Sequence, residues 1–151
     1  MKRYEIQEIL GNTEDETIVY HTTESLKEKV NNMKSNIFLQ GLGDIFALAL
    51  HKTYGYPIYC ITDTTHENIP IHYYCKPRYP IGTYADIRGI TVNRKEFTKP
   101  FEWLMEDTSY TKQINPDTIQ RRIQEDQLDG LYEKALIIIQ NNPNKYDNRK
   151  L

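Results

Sequence analysis

The chain has 151 residues, 38% of them hydrophobic and 26% charged, with a formal net charge of −2. That length fits one domain with its own core, and the composition excludes collagen-like, mucin-like and disulfide-scaffold proteins. No basic excess is available to neutralise a run of phosphates, so no nucleic-acid partner is expected; no apolar run approaches the roughly 20 residues of a membrane span.

In chain order, residues 3–10 fit either a strand or a short helix ahead of Gly11, because Tyr4 and Ile6 alternate with polar residues while Ile6, Ile9 and Leu10 share a helical face. Thr17–His21 is β-branched and aromatic and predicts a strand. Ser25-Leu-Lys-Glu28 fits a capping box, which predicts a helix near 24–34. The segment 38–55 is the most informative. Gly41 and Gly43 make a loop, Asp44 is suited to cap a helix, and Gly55 is suited to end it. Ile45, Phe46, Ala47, Leu48, Ala49 and Leu50 are apolar on every face, so this helix is expected to be central and buried all round.

Three strands are predicted next, at 57–62, 69–76 and 82–88, with Gly89 ending the third. Their short connections favour antiparallel pairing. Asn93 predicts a helix cap, and Phe97, Phe101, Trp103 and Leu104 a cover over the sheet. Asn115-Pro116-Asp117 opens a helix with apolar Ile119 and Ile123, ended by Gly130; Leu131 to Ile139 forms a last helix. The fold class is therefore α+β: an antiparallel sheet on a buried central helix, with C-terminal helices. One domain is expected over 1–143, with a charged, frayed tail at 144–151.

His72 and Asp86 fall on neighbouring predicted strands, and a carboxylate that fixes an imidazole tautomer is what a general base needs. The central helix would bring its positive N-terminal end beside them. The order of features resembles small phage and bacterial proteins with a papain-like or transglutaminase-like core. A glycine loop leads into Phe-Ala-Leu-Ala-Leu-His, followed by His72 in His-Tyr-Tyr-Cys and Asp86 in Tyr-Ala-Asp-Ile-Arg-Gly. The resemblance covers roughly 38–97. It implies a cysteine nucleophile at the helix start, close to Gly43, yet Gly43, Asp44 and Ile45 supply no Cys, Ser or Thr. Acyl transfer through a covalent intermediate then has no nucleophile.

The expectation is thus a degenerate catalytic domain acting as a protein-binding module, a phage factor engaging a host protein. Many Ile, Asn and Lys beside twelve tyrosines give the look of an AT-rich coding sequence. His72 and Asp86 are the expected remnant pair, and Asp44, Tyr74 and Arg88 the expected binding residues, in a region crowded with tyrosines. An ordinary sheet histidine, an Asp86–Arg88 surface ion pair and a plain cap at Asp44 are the simpler readings of those residues. Two alternatives stand: an amide or acyl hydrolase or transferase using His72 and Asp86, and an ADP-ribosyltransferase-like enzyme around His21, with Glu102 or Glu106 orienting the acceptor. Cys60, His66, His72 and Cys75 lack the paired spacing of a zinc site. With no phosphate loop and no Gly-x-Gly-x-x-Gly, no cofactor or metal is expected. Two lone cysteines and a polar opening, Met1–Ile6, lead to the expectation of a cytoplasmic protein.

Overall fold

The computed structural model describes residues 38–39, 41–63, 69–105 and 109–150. The readings at 3–10, 17–21 and 24–34, with His21, His66 and Glu106, lie outside the described residues.

Helix α1 spans Gly43–Tyr54 and buries every residue from Gly43 to Leu50. Its apolar sequence has no polar side to turn outward, so it sits beneath the sheet and against the C-terminal helices. Gly55 closes it in the left-handed conformation, φ 76°, donating to the His51 carbonyl. The helix starts earlier than expected. Leu42 occupies the cap position, and Asp44 lies in the first turn, where its Oδ1 accepts from the Ile45 amide at 3.0 Å.

Among the described residues the sheet has five strands: β1 Ile58–Asp63, β2 Ile69–Cys75, β3 Tyr84–Asp86, β4 Gly89–Thr91 and β5 Tyr110–Ile114. Their order is β4-β3-β2-β1-β5 and all pairs are antiparallel. The single third strand expected at 82–88 is instead a hairpin. Asp86 pairs with Gly89 across Ile87-Arg88, so Gly89 opens β4 and does not end β3. Gly89 has φ 106°, and a Cβ there would lie 2.8 Å from the Lys145 side chain, so only glycine fits. Strand β5 had no counterpart in the sequence reading.

Alternation sorts the two sheet faces. Ile58, Cys75 and Ala85 join the core around α1. Ile61, Tyr74, Tyr59 and Tyr84 face the other way and pack with Phe97. Helix α2, Arg94–Thr98, capped by Asn93, runs into a 3-10 segment, Lys99–Leu104, and these cover that outer face with Phe97 and Phe101. The cover is narrower than expected, because Trp103 is 80% exposed and Leu104 39%.

Helix α3, Pro116–Glu125, follows its Asn115 cap and buries Ile119 and Ile123. It ends before Gly130: the chain turns through Gln127 at φ 56°, and Gly130 lies in the first turn of α4, Asp129–Gln140. The frayed tail expected at 144–151 is replaced by ordered structure as far as 150. Helix α5, Pro143–Tyr146, places Tyr146 fully inside the core, its ring 5.4 Å from Phe46 and its hydroxyl donating to the Ile87 carbonyl at 2.5 Å. An aromatic flanked by charged residues reads as surface in sequence, yet it fills the space between α1 and the β3–β4 turn.

Candidate functional site

Strand β2 carries His72 and strand β3 carries Asp86, and both point to the outer face. Strand β3 reaches only to Asp86, so β2 beyond its pairing at Cys75 and Ala85 lies open for the start of α1 to approach. His72 Nε2 lies 2.9 Å from Asp86 Oδ2, and both side chains are almost wholly buried.

Arg88 closes on the same carboxylate. Its Nη2 donates to Oδ2 at 2.6 Å, its Nε to Oδ1 at 3.1 Å and its backbone amide to Oδ1 at 2.9 Å. Nη2 also donates to the Phe97 carbonyl at 2.9 Å, tying the hairpin turn to the aromatic cover. Burial pushes the Asp86 pKa up, but the hydrogen bonds from His72 and Arg88 outweigh it and hold the carboxyl below its usual range. For His72, burial is the larger influence and lowers the pKa, against the raising effect of Asp86. The ring is therefore neutral at pH 7. It donates from Nε2 and carries its lone pair on Nδ1.

That lone pair faces the beginning of α1. A Cβ built on Gly43 would stand 3.2 Å from His72 Nδ1, 3.1 Å from the Phe38 carbonyl oxygen and 3.2 Å from that of Tyr73. Phe101 stacks on His72, its ring centroid 4.2 Å from that of the imidazole. The imidazole is thus fixed by a carboxylate at one nitrogen and an aromatic face, and offers the other nitrogen to the helix start.

A cleft of about 260 Å³ opens there, lined by Gly41, Gly43, Asp44, Pro70, His72 and Arg122 among others. Asp44 and Arg122 form an ion pair in its wall. Leu39 and Ile71 also line a neighbouring apolar hollow of about 340 Å³, walled by Pro100, Phe101, Trp103 and Leu104. A neutral base beside helix N–H groups can take a proton from a bound hydroxyl, thiol or water.

Of the expected site residues, His72, Asp86, Gly43 and Asp44 converge. The expected binding role of Tyr74 does not fit: it is fully buried against Phe97, Tyr59 and Tyr84, out of reach of a partner. Arg88 is occupied by Asp86 and the Phe97 carbonyl instead of standing open to a ligand. Cys60 and Cys75 are buried free thiols, and burial raises the pKa of both, so neither is an activated nucleophile. Among the described residues no group of three or more His, Cys, Asp or Glu is arranged to hold a metal.

Sequence reasoning missed Arg122 and the exposure of Trp103. Arg122 stands beside Ile123 on α3, but its meeting with Asp44, 78 positions away, has no local signal. Comparisons with known protein families, with curated proteins and with solved structures find no match to this chain.

Proposed function

We propose that this protein is a papain-like or transglutaminase-like domain that has lost its nucleophile and uses the remaining cleft to bind a protein partner, in keeping with a phage factor that engages a host protein. One observation carries the reading: Gly43, which has no side chain, stands at the start of a buried helix and faces Nδ1 of a carboxylate-fixed histidine, where even a Cβ would lie 3.2 Å from that nitrogen. The base, its orienting acid, its aromatic shield and the helix dipole are in place, and the group they would activate is missing. Covalent acyl transfer has no route without it. Binding has an anchor in Trp103 on the hollow that shares Leu39 and Ile71 with the cleft, since a large exposed aromatic beside a hollow is a typical hot-spot group.

The test restores what is missing. Wild-type protein should resist labelling by a thiol-reactive peptide fluoromethylketone. The Gly43→Cys variant, checked by its melting curve to be folded because its Cβ would lie 3.1 and 3.2 Å from the Phe38 and Tyr73 carbonyl oxygens, should be labelled at the introduced thiol near pH 7, because a helix start lowers a thiol pKa and the neutral His72 can take its proton. His72→Ala in that background should slow labelling by at least about tenfold, below the range typical of a fully positioned base. Labelling of Gly43→Cys that ignores His72 would break the reading. For the binding half, Trp103→Ala should abolish capture of a partner that Ile137→Ala, exposed on α4, retains.

A second reading, an amide or acyl hydrolase, is favoured by the neutral His72 base facing the cleft. It requires His72 to activate water directly. Turnover of acyl substrates by the wild type, lost in both His72→Ala and Asp86→Asn, would establish it in place of the first.

A further inference from the structure

The chain leaves β2 at Cys75 and reaches β3 at Tyr84 through a loop that contains Pro77 and Pro80. A hollow of about 570 Å³ lies between this loop, β1 and β3, lined by Pro57, Tyr59, Lys76, Arg78, Ile81 and Tyr84 among others. That volume falls in the roughly 300–1,000 Å³ range of small-ligand sites. Its walls are held in place from behind. The Tyr84 ring stacks on Phe97 at 4.8 Å, and the Tyr59 ring stacks on fully buried Tyr74 at 6.2 Å. The loop itself is pinned twice: the Thr83 hydroxyl donates to the Pro80 carbonyl at 2.8 Å, and the Asn148 side-chain amide donates to the Tyr79 carbonyl at 2.7 Å.

Charge in this hollow is one-sided. The chain as a whole carries −2, yet among the described residues the wall holds two cations and no carboxylate. Neither Lys76 nor Arg78 enters an ion pair among the described residues. Lys76 Nζ stands 4.6 Å from the centroid of the Tyr59 ring, which attracts the ammonium without neutralising it. Two uncompensated cations on a concave wall focus a positive potential into it. We infer that this hollow binds a small phosphomonoester that carries a planar ring, with the phosphate at Lys76 and Arg78 and the ring against Tyr84, Pro77 and Ile81. The charge of a phosphomonoester near pH 7 approaches −2 and matches the two cations, and the Arg78 fork can hold two of its oxygens while Lys76 supplies a point charge. A planar ring matches the aromatic and apolar part of the wall, where it can stack or pack edge to face. A mononucleotide and a phosphotyrosine side chain share this chemistry. None of the lining residues belongs to the cleft at His72, so the Gly43→Cys result has no bearing on this site.

The probes are adenosine monophosphate and capped phosphotyrosine, each titrated into isotope-labelled full-length protein and followed by amide chemical shifts. Adenosine, capped tyrosine and inorganic phosphate are the controls. At least one ring phosphate should shift amides within 76–84 at millimolar concentration, and its unphosphorylated parent and inorganic phosphate should each bind about tenfold more weakly or worse. The tighter of the two ring phosphates identifies the source. The double variant Lys76→Gln, Arg78→Gln, checked by its melting curve to be folded, should bind that ligand about tenfold more weakly, and added salt should weaken wild-type binding. No shifts at 76–84 with either ring phosphate, or undiminished binding by the folded double variant, would overturn the proposal. Equal affinity for the unphosphorylated parent would overturn it by removing the role of the cations, and equal affinity for inorganic phosphate by removing the role of the ring.

Discussion

Asp86 has more demands on it than any other residue at the site. It accepts from His72 and, through three donors, from Arg88, and its side chain is 4% exposed. Removing one partner from such a buried set leaves the others uncompensated, which typically costs about 3–5 kcal/mol. Asp86→Asn should therefore destabilise the fold by about 3 kcal/mol in urea denaturation. The pH dependence follows from the same contacts. The pKa of His72 lies below its ordinary value in the folded chain, and that of Asp86 lies below the usual carboxylate range. In both cases the unfolded chain holds more protons, so stability falls as pH drops below about 6.5, first through His72 and then through Asp86. Wild-type melting temperature should decline across that acidic window, and Asp86→Asn should flatten its lower part, below about pH 4. Parallel curves for both proteins below that pH would show that Asp86 is not ionised in the native state.

At the scale of elements, α1 decides the architecture. Eight consecutive buried residues leave it no solvent face, and it packs against the sheet and against α3 and α4. Ala47 is 1% exposed, and the Cys75 thiol donates to its carbonyl at 3.3 Å from β2. Ala47→Asp places an unpaired charge there and should cost several kcal/mol, leaving little folded protein at 37 °C by circular dichroism. A melting temperature within a degree or two of wild type would contradict the central placement of this helix. The aromatic cover works differently. Phe97 and Phe101 are held down by the Arg88 bond to the Phe97 carbonyl as well as by burial, so one side chain ties the hairpin, the carboxylate and the lid over His72.

At the scale of the molecule, the C-terminal segment is part of the core. Tyr146 packs on Phe46 and donates to Ile87, while the Tyr56 hydroxyl donates to the Tyr146 carbonyl at 2.8 Å and accepts from the Asn148 amide at 2.7 Å. Truncation after Pro143 would remove a fully buried aromatic and open a cavity beside α1, for which large-to-small changes suggest about 3–5 kcal/mol. A frayed tail would cost nothing. Urea denaturation of the truncated and full-length chains separates the two, and Tyr146→Phe, losing only the hydroxyl bond, should fall between them.

The buried helix, the antiparallel character of the sheet and the nearness of His72 to Asp86 were legible in sequence. Each follows from local pattern: an apolar run without a polar face, alternating β-branched and aromatic residues, and short turn-rich connections. The amphipathic α3 was legible too, from its Asn-Pro start and its Ile119–Ile123 spacing. The division of 82–91 into a hairpin was not, because Ile87-Arg88 carries no turn signature and only pairing with Thr91 and Ile90 defines the strands. Strand β5 was hidden for a related reason: Tyr-Thr-Lys-Gln-Ile alternates weakly, and its partner β1 lies far earlier in the chain. The inward turn of Tyr74 and Tyr146, the Asp44–Arg122 ion pair and the approach of Gly43 to His72 Nδ1 depend on which surfaces meet. Local sequence sets what each segment can form, but contacts between distant segments exist only once the core has closed, and those contacts decided the geometry of the site.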